Sequence, residues 1–376
     1  MPDFSAVEKA FEEALTRRVF PGAVLLVNRG GEVVYQRAFG KRSIEPEVTP
    51  LRDDTIFDLS SLTKPLATTT AFLMLVRDRK VSMDDRVTRF FHNFGVHGKI
   101  HITFRHLLNH TSGLPAWRPF YKDVIKMEKS GRVNFMCSRG AKEYVYELIH
   151  RERPEREPGR TTTYGDLNLM LVGEAVENVT GVPLDRFCHD KIFKPLGLRS
   201  ISFIDLSMVR TRRLVPVTEM IAPTERCPWR KKILCGEVHD DNAYAMGGVA
   251  GHAGLFAAAK DVDVLVSKLR DAYHGRDPFL PQALLEEAFA RDPRQPDSTR
   301  TLGWDTPSAT GSAAGTRFSK KTVGHLGFTG TSVWLDLEKD VHVILLSNRV
   351  HPSRDNEAIK DFRPHVHDLV MDAIRN

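Results

Sequence analysis

Ser60-Ser61-Leu62-Thr63-Lys64 is the stretch on which the reading of this chain turns. It follows Thr55-Ile56-Phe57-Asp58-Leu59 and opens a largely apolar run from Ala67 to Val76. Hydroxyl residues ahead of such a run mark a helix start, because a side-chain oxygen can accept from the free amides there. The pattern predicts a helix from Ser61 to about Lys80. Ser61 and Lys64 then lie three apart on one face, about a turn from each other. An ammonium is placed beside a hydroxyl, at a helix end whose amides and dipole favour negative charge. A serine is a poor nucleophile until a base takes its proton, and Lys64 is a candidate for that task. Pro65 removes a backbone donor just inside the first turn, so distorted or 3₁₀ geometry is expected there. A plain cap and a solvated lysine fit the same letters, so the stretch needs partners elsewhere in the chain.

Outward from it, strands come at both ends and helices in the middle. Val7, Ala10, Phe11 and Leu15 have helical spacing within Phe4–Arg17. Ala23–Val27 and Val33–Tyr35 flank Arg29-Gly30-Gly31 as a hairpin. From about residue 80 to 240 the pattern is mostly helical, with Tyr144–His150 and Leu167–Val179 as clear cases. Residues 209–241 have no period and read as a long ordered surface loop, expected to wall the cleft with Trp229, Cys227 and Glu225. A helix follows over Asp261–Tyr273. Ser332–Leu337 and His342–Ser347 form a second hairpin around Glu338-Lys339-Asp340. Pro364–Ile374 closes the chain as an amphipathic helix, with proline at its first position. The fold class is α/β (α+β): a mixed, mainly antiparallel sheet from both chain ends, flanked by the terminal helices, plus an inserted helical domain. The sheet domain comprises 1–59 and 245–376, the helical domain 60–244, and the active site is expected in the cleft between them.

Composition narrows the function. The chain has 376 residues, 41% hydrophobic and 27% charged, an ordinary globular balance. Its net charge of +6 is mild. The clusters Arg210/Arg212/Arg213 and Arg230/Lys231/Lys232 are short and lack interleaved aromatics, so no nucleic-acid partner is expected. The apolar runs are too short to cross a bilayer and the N-terminus has no apolar leader core, which together point to no membrane partner and a cytoplasmic location. Cys137, Cys188, Cys227 and Cys235 form no C-x-x-C pair, so neither a disulfide frame nor a zinc knuckle is indicated.

An active site built on Ser61 and Lys64 needs a second proton carrier and an oxyanion hole. Tyr164-Gly165-Asp166 stands at the mouth of the Leu167–Val179 helix, where a tyrosine near a cationic lysine is a candidate base. Gly324-His325-Leu326-Gly327-Phe328-Thr329-Gly330-Thr331 precedes the last hairpin, and its glycines let a strand edge approach a substrate closely. Either stretch alone reads equally well as packing or as a turn.

Together, in this order, the three stretches resemble the motifs of the serine β-lactamase and penicillin-binding protein superfamily, most of all its class C β-lactamase-like esterases. Ser61-Leu62-Thr63-Lys64 matches the first motif. Tyr164-Gly165-Asp166 matches the second, usually Tyr-x-Asn. His325-Leu326-Gly327 matches the third, usually Lys-Thr-Gly. Arg105–Pro115 and Gly251-His252-Ala253-Gly254-Leu255-Phe256 look the same way, so the resemblance covers about residues 20–350. It implies that Ser61 is an acyl-forming nucleophile, that Lys64 helps it lose its proton, and that Tyr164 is the base and then the acid. It further implies an oxyanion hole from the N–H groups of Ser61 and Phe328, with Asp166, His325 and Gly327 against the substrate. No cofactor and no metal are implied.

Two departures bear on the substrate. Asp166 replaces an amide; a carboxylate can accept from Lys64 but cannot donate to a substrate carbonyl. His325 replaces a fixed cation and, at an ordinary imidazole pKa of about 6.5, should change charge in the working range while being mostly neutral in the active enzyme. Both favour a small ester, and so a carboxylesterase, over a β-lactam. A β-lactamase, a D-amino-acid peptidase or amidase, and a catalytically silent ligand-binding member are the alternatives. An α/β-hydrolase would need Gly-x-Ser-x-Gly, which is absent. A metallohydrolase built on His239-Asp240-Asp241 and His252 would lack H-E-x-x-H.

Overall fold

Alternation along Gly22–Arg29 sets the layering. Ala23, Leu25 and Val27 pack in one apolar cluster, while Val24 and Leu26 pack in another. That is what period-2 side chains do in a sheet covered on both faces. The computed structural model describes residues 2–375. Six strands form one antiparallel sheet, in the order Thr49–Pro50, Glu32–Ser43, Gly22–Arg29, Val341–Ser347, Ser332–Asp336 and Thr322–Leu326. The two chain ends meet at its centre, where Leu25 lies opposite Leu345. On one face lie the terminal helices Ser5–Thr16 and Ile359–Ala373, with Phe11 stacked on Phe39 and edge-on to Phe362. The other face carries the helix Ala259–Tyr273 and continues, without a break in the apolar cluster, into the helices of the middle of the chain.

The helix expected from Ser61 to about Lys80 is assembled from three pieces: a 3₁₀ turn Ser60–Leu62, a π-helical segment Lys64–Thr69 and an α-helix Thr70–Arg77. Pro65 lies at the junction, as anticipated from its missing donor. A second small sheet pairs Phe57–Asp58 and Ser202–Phe203 with Leu255–Ala257, and so ties the approach to Ser61 to both flanking regions. No helix among the described residues is long and apolar enough to cross a membrane.

Three local expectations are corrected. The closing helix starts at Ile359, not Pro364, and the proline lies inside it. Ile359, Phe362 and Arg363 are buried in that first part, and their packing outweighs the hydrogen bond that Pro364 cannot donate. The second strand of the first hairpin extends over Glu32–Ser43, well past Tyr35. Residues 209–241 are not a surface loop throughout: Ile221–Glu225 and Leu234 are buried, and Arg226–Cys227 pairs with Lys232–Ile233 as a short hairpin. Buried polar groups in an aperiodic segment need partners, and Thr224 and Glu225 find theirs within this segment and in residues 351–354.

Candidate active site

A cleft of about 590 Å³ opens beside the edge strand, and Ser61, Tyr164, Asp166, His325, Gly327 and Phe328 all line it. Lys64 lies fully buried beneath. The residues anticipated for the catalytic, oxyanion and substrate-contacting positions are thus brought to one place.

The turn before Ser61 is held from several sides. Ser60 has φ +49°, an uncommon conformation outside glycine. Its N–H donates to Asp58 Oδ1 at 2.8 Å, and Thr63 Oγ1 donates to its carbonyl at 2.7 Å. The glycine-rich stretch grips the same turn: Thr329 Oγ1 donates to the Asp58 carbonyl at 2.7 Å and Thr331 Oγ1 to that of Leu59 at 3.1 Å. The Phe328 N–H donates to Ser60 Oγ at 3.3 Å, so it faces the turn that carries Ser61. At Gly327 a Cβ would fall 2.0 Å from Thr331 Oγ1 and 2.6 Å from the Leu59 carbonyl; only glycine lets the two stretches come this close.

Lys64 Nζ donates to Ser61 Oγ at 2.9 Å and to the His252 carbonyl at 3.2 Å, and pairs with Asp166 Oδ1 at 2.8 Å. Burial opposes its charge, but Asp166 and Tyr164 outweigh that and hold the amine above its ordinary range. Lys64 is therefore an ammonium at neutral pH, a donor to Ser61 and not a proton acceptor in this state. Tyr164 is flanked by charge and by imidazoles. Lys64 Nζ lies 5.2 Å and the Arg300 guanidinium 4.3 Å from its ring centre. The His110 ring is 4.8 Å away and the His325 ring 5.8 Å.

His325 departs from the expected titration. It is buried, and burial first, then Arg300 and Lys64, hold its imidazole well below the usual range. Neutrality in the active enzyme agrees with the sequence reading; a charge change near pH 6.5 does not. Its Nδ1 lies 2.8 Å from the Leu326 carbonyl, which can only accept, so Nδ1 carries the proton and Nε2 keeps a lone pair. That Nε2 has no partner among the described residues.

His239, Asp240 and Asp241 also line the cleft, with the His239 ring stacked 5.6 Å from that of Phe328. Trp229, Cys227 and Glu225, expected to wall the cleft, are not in its lining: the Trp229 indole N–H donates to Asp241 Oδ1 at 2.9 Å and its ring packs against Tyr121 and Tyr244, while the Glu225 carboxylate is taken up by Arg354. Asp240 caps the short helix Asp241–Ala245 and accepts from His252 Nε2 at 2.9 Å. One ligand atom from each of Asp166, Asp240 and His252 lies within 4.8 Å of the others, spacing that a metal could use. Lys64 already supplies a cation to Asp166 there.

Several lining residues were missed. Arg300, Arg349, Arg354 and Arg363 all reach the cleft. A signal existed for Arg363: with Ile359, Phe362 and Val366 it falls on the buried stripe of the closing helix, where an arginine is out of place.

The beta-lactamase family model matches residues 7–366. The chain belongs to the beta-lactamase family. A relative in Escherichia coli (strain K12), carrying the name "Putative D-alanyl-D-alanine carboxypeptidase", is 31% identical over 355 residues, 88% of this chain and 79% of the relative. Among solved structures, EstCE1, a hydrolase with promiscuous acyltransferase activity, superposes with a TM-score of 0.70 at 24% identity, covering 95% of this chain and 97% of its own. Simvastatin synthase LovD from Aspergillus terreus gives 0.71 at 20%, covering 97% of each chain. The octameric penicillin-binding protein homologue from Pyrococcus abyssi gives 0.70 at 21%, covering 96% of this chain and 76% of its own. These structures share the fold. With the family match, they place the chain among β-lactamase-fold proteins, and its family makes it a hydrolase of the serine β-lactamase and penicillin-binding protein type.

Proposed function

We propose that the protein hydrolyses a small ester or amide through an acyl-enzyme on Ser61, with carboxylesterase activity favoured. The observation that carries this is the buried Lys64 ammonium, bonded at once to Ser61 Oγ and Asp166. A plain cap would not need a fully buried charge beneath it. In the forward step Ser61 Oγ bonds to the substrate carbonyl carbon, and its proton passes to the phenol oxygen of Tyr164 in its deprotonated form. Lys64, already protonated, steadies the charge on both oxygens. The developing oxyanion is met by the N–H groups of Ser61 and Phe328. Collapse breaks the bond to the leaving alcohol or amine, which takes the proton back from Tyr164. Water then releases the acid by the same route in reverse. Asp166 and His325 act beside these: the first anchors Lys64, the second offers a lone pair.

A D-amino-acid peptidase is the second reading. The name carried by the Escherichia coli relatives favours it, as do the arginines of the cleft, which suit a peptide carboxylate. The test is kcat/KM across p-nitrophenyl esters, nitrocefin and peptides ending in D-alanyl-D-alanine. Short-chain esters should be turned over fastest. A larger value for nitrocefin or a D-alanyl peptide would reject the esterase assignment.

A further inference from the structure

Arg363 is a buried cation whose charge nothing in the fold explains. It is 6% exposed, and its Nε has no partner among the described residues. Its Nη2 donates to two carbonyls, Gly327 at 2.9 Å and Thr331 at 2.8 Å. Burial first, then the like charge of Arg349, push the guanidinium down to about 9, and no carboxylate offsets either. It remains a cation at neutral pH, in a place where a charge without a counter-ion is costly.

The carbonyls do not need it. Gly327 O also accepts from the Gly330 N–H at 3.1 Å, and Thr331 O accepts from the Gly327 N–H at 2.7 Å. The loop closes on itself by backbone bonds alone, so a neutral side chain at 363 would leave neither oxygen bare. What the arginine adds is charge. The Gly327 carbonyl and the Phe328 N–H belong to one peptide group, with the guanidinium at its oxygen end and the nucleophile turn at its hydrogen end. A cation donating to a peptide oxygen draws electron density along the group and makes its N–H a stronger donor, the more so where the dielectric is low.

We propose that Arg363 is a positioning residue that polarises the Gly327–Phe328 peptide and so strengthens the Phe328 N–H as an oxyanion donor; this rests on the acyl-enzyme reading above. Arg349 is the internal control. It donates to the Phe328 carbonyl at 2.8 Å, one peptide further on, and its guanidinium lies 4.4 Å from the Phe328 ring centre. It anchors the same loop without acting on the peptide that carries the oxyanion donor.

The experiment compares wild type, Arg363→Gln, Arg363→Lys and Arg349→Gln on a p-nitrophenyl ester, reading kcat, KM, melting temperature and the acyl-Ser61 adduct by intact mass. Arg363→Gln keeps a neutral donor; its kcat should fall about tenfold or more with KM within about threefold, the pattern of an interaction made chiefly in the transition state. Its melting temperature should hold or rise. Arg363→Lys should recover most of kcat, and Arg349→Gln should lose less than Arg363→Gln. The proposal is overturned if adduct forms and Arg363→Gln keeps wild-type kcat, or if the Gln and Lys variants lose alike with parallel drops in melting temperature. An Arg363→Gln chain that fails to fold also overturns it, since the loop should not need the guanidinium. If wild type gives no acyl-Ser61, the acyl-enzyme reading itself falls, and this inference with it.

Discussion

The two walls of the cleft handle charge in opposite ways. On the serine wall, Lys64 is fully buried and answered by Asp166 at 2.8 Å. On the wall built by residues 325–331 and the closing helix, Arg363 is buried almost as deeply and answered only by carbonyls, while His325, at the position of the usual third-motif cation, is neutral. A buried ion pair stabilises its own geometry; an unanswered cation stabilises whatever negative charge arrives. On the acyl-enzyme reading proposed above, the serine wall holds the nucleophile in place and the other receives charge that exists only during the reaction.

The largest effect should come from the serine wall. Ser61→Ala should lower kcat by about 10⁴-fold or more. Ser61 Oγ accepts from Lys64 Nζ, which keeps Asp166 and the His252 carbonyl as partners when the hydroxyl is removed, so the melting temperature should barely change. Residual hydrolysis near the wild-type rate would break the assignment.

Next in size is the pair itself. Asp166→Ala leaves the Lys64 ammonium unanswered and should cost on the order of 3 kcal/mol in urea unfolding. A loss below about 1 kcal/mol, the range of an exposed pair, would mean that the two walls do not differ in kind.

The receiving wall makes a prediction about acid. His367, on the closing helix with Arg363, is buried with Nδ1 2.8 Å from the Ala313 carbonyl, and burial pushes it down to about 4. Between pH 6.5 and 4 the unfolded chain binds this proton and the folded chain does not. Stability is thus complete above pH 6.5 and falls as pH drops towards 4, by a few kcal/mol for this group. His367→Gln should flatten that slope in urea melts. An unchanged slope would remove His367 from the account.

The smallest expected effect is an absence. Because His325 is held neutral, kcat/KM for a neutral ester should show no His325 inflection between about pH 5.5 and 7.5. An inflection there that His325→Gln abolishes would restore a switching cation to the third motif and erase much of the contrast.

What was legible in the sequence is what local spacing can carry. Ser61 and Lys64 lie within one turn, Tyr164 and Asp166 two apart at a helix mouth, and His325, Gly327 and Phe328 in one short stretch; all but the buried Lys64, which bonds to Ser61 and Asp166, line the cleft. The hairpin of Ala23–Val27 with Val33–Tyr35 and the second hairpin likewise showed a sheet built from both chain ends. What was not legible depends on pairings across long separations. Arg363 meets Gly327 and Asn28 meets Asp263 only once the chain is folded. The π-helical register of Lys64–Thr69 leaves no period to read in so short a segment. Trp229 looked like a cleft residue because it sits in an aperiodic stretch, but its N–H is claimed by Asp241 and its ring by two tyrosines. The titration of His325 was misjudged because burial and two cations, neither visible in the sequence, decide it.

Intact mass spectrometry of the quenched enzyme after mixing with an activated ester tests the central claim most directly. One acyl adduct is expected, mapped by peptide sequencing to Ser61 and absent in Ser61→Ala. Turnover of the ester with no adduct on Ser61, or an adduct that persists in Ser61→Ala, would contradict it.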